Sequence, residues 1–184
     1  MVGPSRLRKA KSLRAIWRTL GIPEEFAERA RLRLQREARQ LVSIGRAADD
    51  GRILRLTPRA NAAWKQMQAA AKADGAALVP LSAYRSIARQ TLIIRRKLAR
   101  GQAIALILRT SAVPGCSEHH TGRALDLGAP GHLKLEVSFA RTREFRWLKR
   151  HAARFGFRLS YPRGNPQGIV YEPWHWCWHP PGLK

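Results

Sequence analysis

The chain has 184 residues, enough to bury one substantial core and to favour a single domain with at most an appendage. Its 45% hydrophobic content excludes a disordered or fibrous protein, and "AIALILRT", its longest apolar run, is far short of the roughly 20 residues of a membrane helix. With 35 Lys and Arg against 12 Asp and Glu, the formal net charge is +23, a field that favours nucleic acid, anionic lipid or an anionic wall polymer without choosing among them. Residues 1–60 hold 15 of the bases and 6 of the acids, so the charge runs through the chain and is not a tail on a neutral domain.

The start, "MVGPSRLRKAKSLRAIWRTLGI", is basic and reads as loosely ordered. It lacks a continuous apolar stretch and a small-residue cleavage site, so synthesis in the cytoplasm without classical export is the expectation. From Pro23 to Ser43, Phe26, Ala30, Leu34, Ala38 and Leu41 recur at helical spacing behind a proline and two glutamates, which predicts a helix. "ADDG" reads as a turn and "RILRL" as a short strand. Thr57-Pro58 opens a helix through Trp64 and Met67 that Gly75 stops.

"ALVPLSAYR" has the length of a buried strand, and Ser86 can cap the following helix, which Gly101 closes. Arg85 then sits at a strand-to-helix junction. "QAIALILR" reads as a further helical piece leading into the loop "TSAVPGCSEHHTG". "RALDLG" is a strand, "TREFRWLKRHAARFG" an amphipathic helix, and "FRLSYP" and "GIVYEPWHWCW" are the last two strands. Helices come first and strands then mix with helices without regular alternation, which predicts an α+β fold with a small, mainly antiparallel sheet. The division falls near residue 57, with a basic, mostly helical segment over 1–56 and a core domain over 57–184.

Six carboxylates follow residue 60, and two of them, Asp126 and Glu172, fall in segments that read as buried strands and also carry histidines. A buried carboxylate is expensive without a partner, so each calls for a cation or a metal. Gly122 and the strand character of "RALDL" argue for a loop delivering His119 and a strand delivering Asp126. Pro173 excludes a regular helix interior between Glu172 and His175, so the end of a strand can present both to one pocket. Two histidines and one carboxylate, with a fourth position left to water, make a catalytic zinc set.

Ser117, His119, Gly122, Ala124 and Asp126 match S-x-H-x-x-G-x-A-x-D, and Glu172 to His175 match E-P-W-H. "SAYRSIARQ" upstream and "WLKRHAARFGFRLSYP" between them complete four segments in order over residues 78–178. In these the chain resembles the VanY-type zinc D-alanyl-D-alanine carboxypeptidases and the related L-alanyl-D-glutamate endopeptidases of phage endolysins. The resemblance implies a Hedgehog/DD-peptidase-like fold, a zinc ion on His119, Asp126 and His175, Glu172 as catalytic base and Arg85 facing the substrate. Gln90 and Ser117 are carried over as substrate or supporting contacts. It implies a metallopeptidase that cleaves peptidoglycan stem peptides next to a D-amino acid, as carboxypeptidase or endopeptidase, at the cell wall.

The chain departs from the family after E-P-W-H. An aromatic residue and then an arginine are common there, whereas this chain reads "WCWHPPGLK". His120, His179, Cys116 and Cys177 are therefore additional candidate ligands, and in an extended strand His175 and Cys177 share a face. The two cysteines read as reduced thiols, with a disulfide as the alternative. Trp174 is a candidate substrate contact, while Trp176 and Trp178, alternating with it, suit sheet packing. His132 and His151 read as ordinary surface or core residues. The alternative function is a basic nucleic-acid-binding module without peptidase activity, which the charge motivates.

Overall fold

The computed structural model describes residues 4–23, 25, 26, 30, 32–48 and 50–180. The α+β class expected from the sequence is the one found, with a four-stranded antiparallel sheet at its centre. The N-terminal helix α1 spans Pro4–Thr19. A hairpin of β1 (Val42–Arg46) and β2 (Ile53–Leu56) leads into helix α2 (Pro58–Ala73). Strand β3 (Val79–Ser82), helices α3 (Ile87–Ala99) and α4 (Ile104–Thr110), strand β4 (Ala124–Gly128) and helix α5 (Arg143–His151) follow. Strands β5 (Phe157–Leu159) and β6 (His175–Trp178) complete the sheet, whose order is β3-β4-β6-β5.

The local signals explain most of these bounds. Pro58 occupies the first turn of α2, where its missing N–H costs nothing. The Ser86 hydroxyl accepts from the Arg89 N–H at 3.1 Å and starts α3. Pro80 is tolerated in β3 because β3 is an edge strand and its register shifts between Pro80 and Ser82.

The start of the chain departs from expectation. Instead of being loosely ordered it forms α1, whose Leu13 and Trp17 pack with Ile94 and Ile107 of α3 and α4. The Trp17 indole N–H donates to the Pro114 carbonyl at 2.8 Å. The helix predicted from Pro23 to Ser43 is absent from its later half. Residues 32–41 are not helical and Val42 begins β1, while residues 24, 27–29 and 31 lie outside the described residues. Tertiary hydrogen bonds take the backbone there: the Gln35 N–H donates to Gly115 and the Ala38 N–H to His120, at 2.7 and 2.8 Å. Propensity yields where the backbone finds partners outside its own segment. The last strand is also shorter than expected, because a turn at Pro173 and Trp174 confines it to residues 175–178.

The two sheet faces do different work. Leu125, Leu127, Trp176 and Trp178 point into the main core with Trp64, Met67 and Phe157. By strand alternation Ala124, Asp126, His175 and Cys177 point the other way. Trp176 and Trp178 are therefore core residues.

Candidate metal centre

Asp126 and His175 are direct cross-strand partners in the β4–β6 pair, so sheet register alone brings them together on one face. The His175 Nδ1 lies 3.0 Å from Asp126 Oδ1. His119 arrives from a single 3₁₀ turn, Glu118–Thr121, and its Nε2 lies 3.1 Å from Asp126 Oδ2. Donor atoms of His119, Asp126 and His175 all lie within 4.8 Å of one another, and each residue is at most 3% exposed.

Gly122 ends that turn at φ +63°, and a Cβ there would meet Leu41 Cδ2 at 2.9 Å, so both backbone and space require glycine. Two histidines in succession then grip the segment between β3 and α3. The His119 Nδ1 lies 2.6 Å from the Ala83 carbonyl. His120, a further candidate ligand in the sequence, is instead fully buried away from the trio, and its Nδ1 lies 2.6 Å from the Arg85 carbonyl. Its Nε2 accepts from the Gly115 N–H at 3.1 Å, which makes Nδ1 the protonated nitrogen. Burial lowers the His120 pKa to about 4, so the ring stays neutral.

Glu172 and His175 close a tight turn, the His175 N–H donating to the Glu172 carbonyl at 3.1 Å. Proline at the second position favours such a turn, which sets its first and fourth side chains side by side. Glu172 Oε2 is 4.0 Å from His175 Nδ1. Burial is the main cause that raises the Glu172 pKa to about 7, with the His175 charge opposing and the Asp126 charge adding.

Arg85 Nη2 lies 3.8 Å from Asp126 Oδ2, and Nη1 donates to Gln90 Oε1 at 2.8 Å. Gln90 is 0% exposed and donates to the Ala112 carbonyl, so it holds Arg85 from beneath and does not line the cavity. Ser117 and Trp174 do line it, together with His119, Asp126, Glu172 and His175, around about 320 Å³. Lys97 adds a second cation to that cavity, its Nζ donating to Ser111 Oγ at 2.8 Å. Nothing in its helical sequence context singled Lys97 out.

The sequence reading also missed Glu118. Its Oε2 lies 3.0 Å from His175 Nε2 and accepts from Ser160 Oγ at 2.5 Å. Burial acts to raise the Glu118 pKa, but the His175 hydrogen bond and charge and the Ser160 hydroxyl outweigh it and bring it to about 2. For His175, burial acts downward and is overcome by its hydrogen bonds to Asp126 and Glu118, which raise it to about 10. Only the S-E-H order hinted at Glu118, by placing a carboxylate next to His119.

The donor set fits a divalent ion. Because His119 Nδ1 faces a carbonyl it must carry the proton, which leaves a lone pair on Nε2 facing the Asp126 carboxylate. Burial holds the His119 pKa down despite Asp126, so a proton is a poor bridge between these two acceptors and a metal a good one. On His175, whose Nε2–H is donated to Glu118, an ion would take the place of the proton that Nδ1 shares with Asp126.

The D-alanyl-D-alanine carboxypeptidase VanY family model matches residues 53–181. The chain belongs to the VanY family. It is 36% identical to YodJ of Bacillus subtilis (strain 168) over 118 residues, 61% of this chain and 42% of that protein. A D-alanyl-D-alanine carboxypeptidase of Enterococcus faecalis (strain ATCC 700802 / V583) is 35% identical over 117 residues, 58% of this chain and 42% of that one. The chain thus spans about two fifths of the length of these curated relatives. Among solved structures, the LdcB LD-carboxypeptidase superposes with a TM-score of 0.69 at 30% identity, covering 77% of this chain and 69% of that one. A variant of the vancomycin-resistance D,D-pentapeptidase VanY in complex with Zn(II) gives 0.60 at 29% identity, covering 78% and 80%.

Proposed function

We propose that the chain is a zinc carboxypeptidase that removes a C-terminal D-amino acid from peptidoglycan stem peptides. The observation that carries this reading is the meeting of His119, Asp126 and His175 in one cavity with Glu172 and Arg85. His119, Asp126 and His175 would hold the ion. Once bound, zinc would supply the Lewis acidity that polarises an amide carbonyl and makes water nucleophilic near neutral pH.

The protein's own groups do the rest. Glu172, with a pKa of about 7, takes the proton of the attacking water at its carboxylate and delivers it to the leaving amine. The Arg85 guanidinium, fixed by Gln90, stabilises negative charge growing on the carbonyl oxygen. Lys97, on the cavity wall, offers a charge to the substrate's terminal carboxylate, which favours carboxypeptidase over endopeptidase action. Ser117 and Trp174 contact the peptide from the remaining walls.

In this reading residues 57–184 form the peptidase core and residues 1–56 a basic accessory segment. The backbone hydrogen bonds of Gln35 and Ala38 brace the loop that carries His119, and the Glu37 carboxylate, accepting from the Ile87 N–H at 2.7 Å, braces the start of α3. The excess of arginine suits contact with anionic wall polymer at the cell wall, where the substrate lies. Among the described residues no helix is long and apolar enough to cross a membrane.

The test is a digest of peptidoglycan by the zinc-loaded protein with products read by mass spectrometry. Released D-alanine supports the carboxypeptidase. A cut inside the stem peptide without D-alanine moves the reading to an endopeptidase, and no product from the zinc-loaded protein refutes both.

A further inference from the structure

His175 is followed at two-residue steps by Cys177 and His179, which continue along the same side of the chain. Cys177 pairs with Ala124 across β4, on the face that carries Asp126, and is 1% exposed. Donor atoms of Glu118, Cys177 and His179 all lie within 4.8 Å of one another. We propose that these three residues form a second metal site, distinct from the His119–Asp126–His175 centre and joined to it through Glu118.

The chemistry of the donors supports this. A thiolate, an imidazole and a carboxylate together suit zinc, with its mixed sulfur, nitrogen and oxygen ligands, and offer little to magnesium or calcium. Tetrahedral bonds of about 2.0–2.3 Å put donors about 3.5 Å apart, so closing on an ion takes side-chain movement of little more than about 1 Å. The hydrogen bonds from Ser160 and His175 fall on Glu118 Oε2, and the hydrogen bond between the Cys177 thiol and the Glu118 carboxylate is the contact an ion would replace.

Access comes from an opening that shares Tyr161 with the catalytic cavity but none of His119, Asp126 and His175. Glu118, Ser160 and His179 line this opening of about 270 Å³, so an ion can reach Glu118 and His179 without passing His119 or Asp126, and the buried Cys177 then closes on it. Arg158 and Arg33 on its rim do not ligate, and burial and the Glu118 charge push the Cys177 thiol well up, so the ion itself must displace the proton. Binding breaks the Cys177 S–H bond, releases that proton to water and forms bonds to sulfur, nitrogen and oxygen, with no change of oxidation state. Two negative donors then neutralise the divalent charge within the buried strand.

The experiment is a cobalt(II) titration of the full chain stripped of metal, reading bound cobalt per chain and the near-ultraviolet thiolate-to-cobalt absorption. The proposal expects two ions and a thiolate band for the unaltered chain. Cys177→Ser should bind one ion and lose the band, Cys116→Ser should keep both ions and the band, and His119→Ala should keep one ion with the band. His179→Ala, at a half-buried position where folding is less at risk, should weaken binding of the second ion at least tenfold. A band that is missing, or that survives Cys177→Ser, overturns the proposal, as does complete loss of cobalt from His119→Ala. One ion with a thiolate band in the unaltered chain would support this site and tell against the catalytic centre, so the two readings fail separately.

Discussion

Glu118 Oε2 sits 3.0 Å from His175 Nε2, on the far side of the imidazole from Asp126. The ring is thus oriented by a carboxylate outside the proposed His119–Asp126–His175 donor set, an arrangement that fixes the tautomer and would raise the basicity of the nitrogen facing the ion. Glu118→Gln should keep the shape and weaken the catalytic zinc by about 10–100-fold. The measurement is zinc competition with a chelator in a Cys177→Ser background, so that a single ion is titrated. Unchanged affinity would remove Glu118 from the site.

Arg85 and Lys97 line the same cavity but should fail differently when removed. If Arg85 meets the charge that develops in the transition state, Arg85→Ala should lower kcat by about 10²–10³-fold with zinc content unchanged. If Lys97 meets a carboxylate present throughout, Lys97→Ala should raise KM and leave kcat nearly intact. Steady-state kinetics on a peptide ending in D-alanine separates the two, and the reverse pattern would exchange their roles.

His120 makes stability sensitive to acid. Its pKa is about 4 in the fold against an ordinary 6.5, because burial disfavours the charged ring. Between those values the unfolded chain holds a proton that the folded chain does not. Stability therefore rises with pH across this interval, is complete above about 6.5 and is lost as pH falls toward 4, by about 3 kcal/mol. His120→Gln should lose less stability than the unaltered chain over the same range in denaturant titrations. Metal release at low pH affects both proteins and cancels in the comparison.

At Gly122, a left-handed backbone and a Cβ position 2.9 Å from Leu41 Cδ2 act together. Gly122→Ala should cost about 1–3 kcal/mol in denaturant unfolding. It should also lower zinc affinity, because the same turn carries His119. A neutral substitution would show that the turn has another way to close.

That His119, Asp126, Glu172 and His175 would meet in one cavity was legible because they lie in short, ordered motifs. His119 and Asp126 fall within eight residues, and Glu172 and His175 flank one proline. Each sits where a turn or a strand register places it with little help from the rest of the chain. The helices after Thr57 were legible for a similar reason, since capping residues and periodicity agreed. The segment before β1 was not. Its helical spacing is real, but Gln35 and Ala38 give their backbone N–H groups to the loop that holds His119 and His120, a pairing across some 80 residues that no local pattern announces. Glu118 and Lys97 were missed on the same ground, because what distinguishes them is what lies across from them in space. Cys177 was readable as a neighbour of His175 on one face, while its approach to Glu118 and His179 is set by the tertiary fold.

The most direct test of the account is D-alanine release from a stem pentapeptide by the zinc-loaded Glu172→Gln variant, set against the unaltered chain. With Glu172 as the proton carrier and not a ligand, the variant should retain its catalytic zinc and lose turnover by about 10²–10⁴-fold. Turnover that survives with zinc bound would contradict the role given to Glu172.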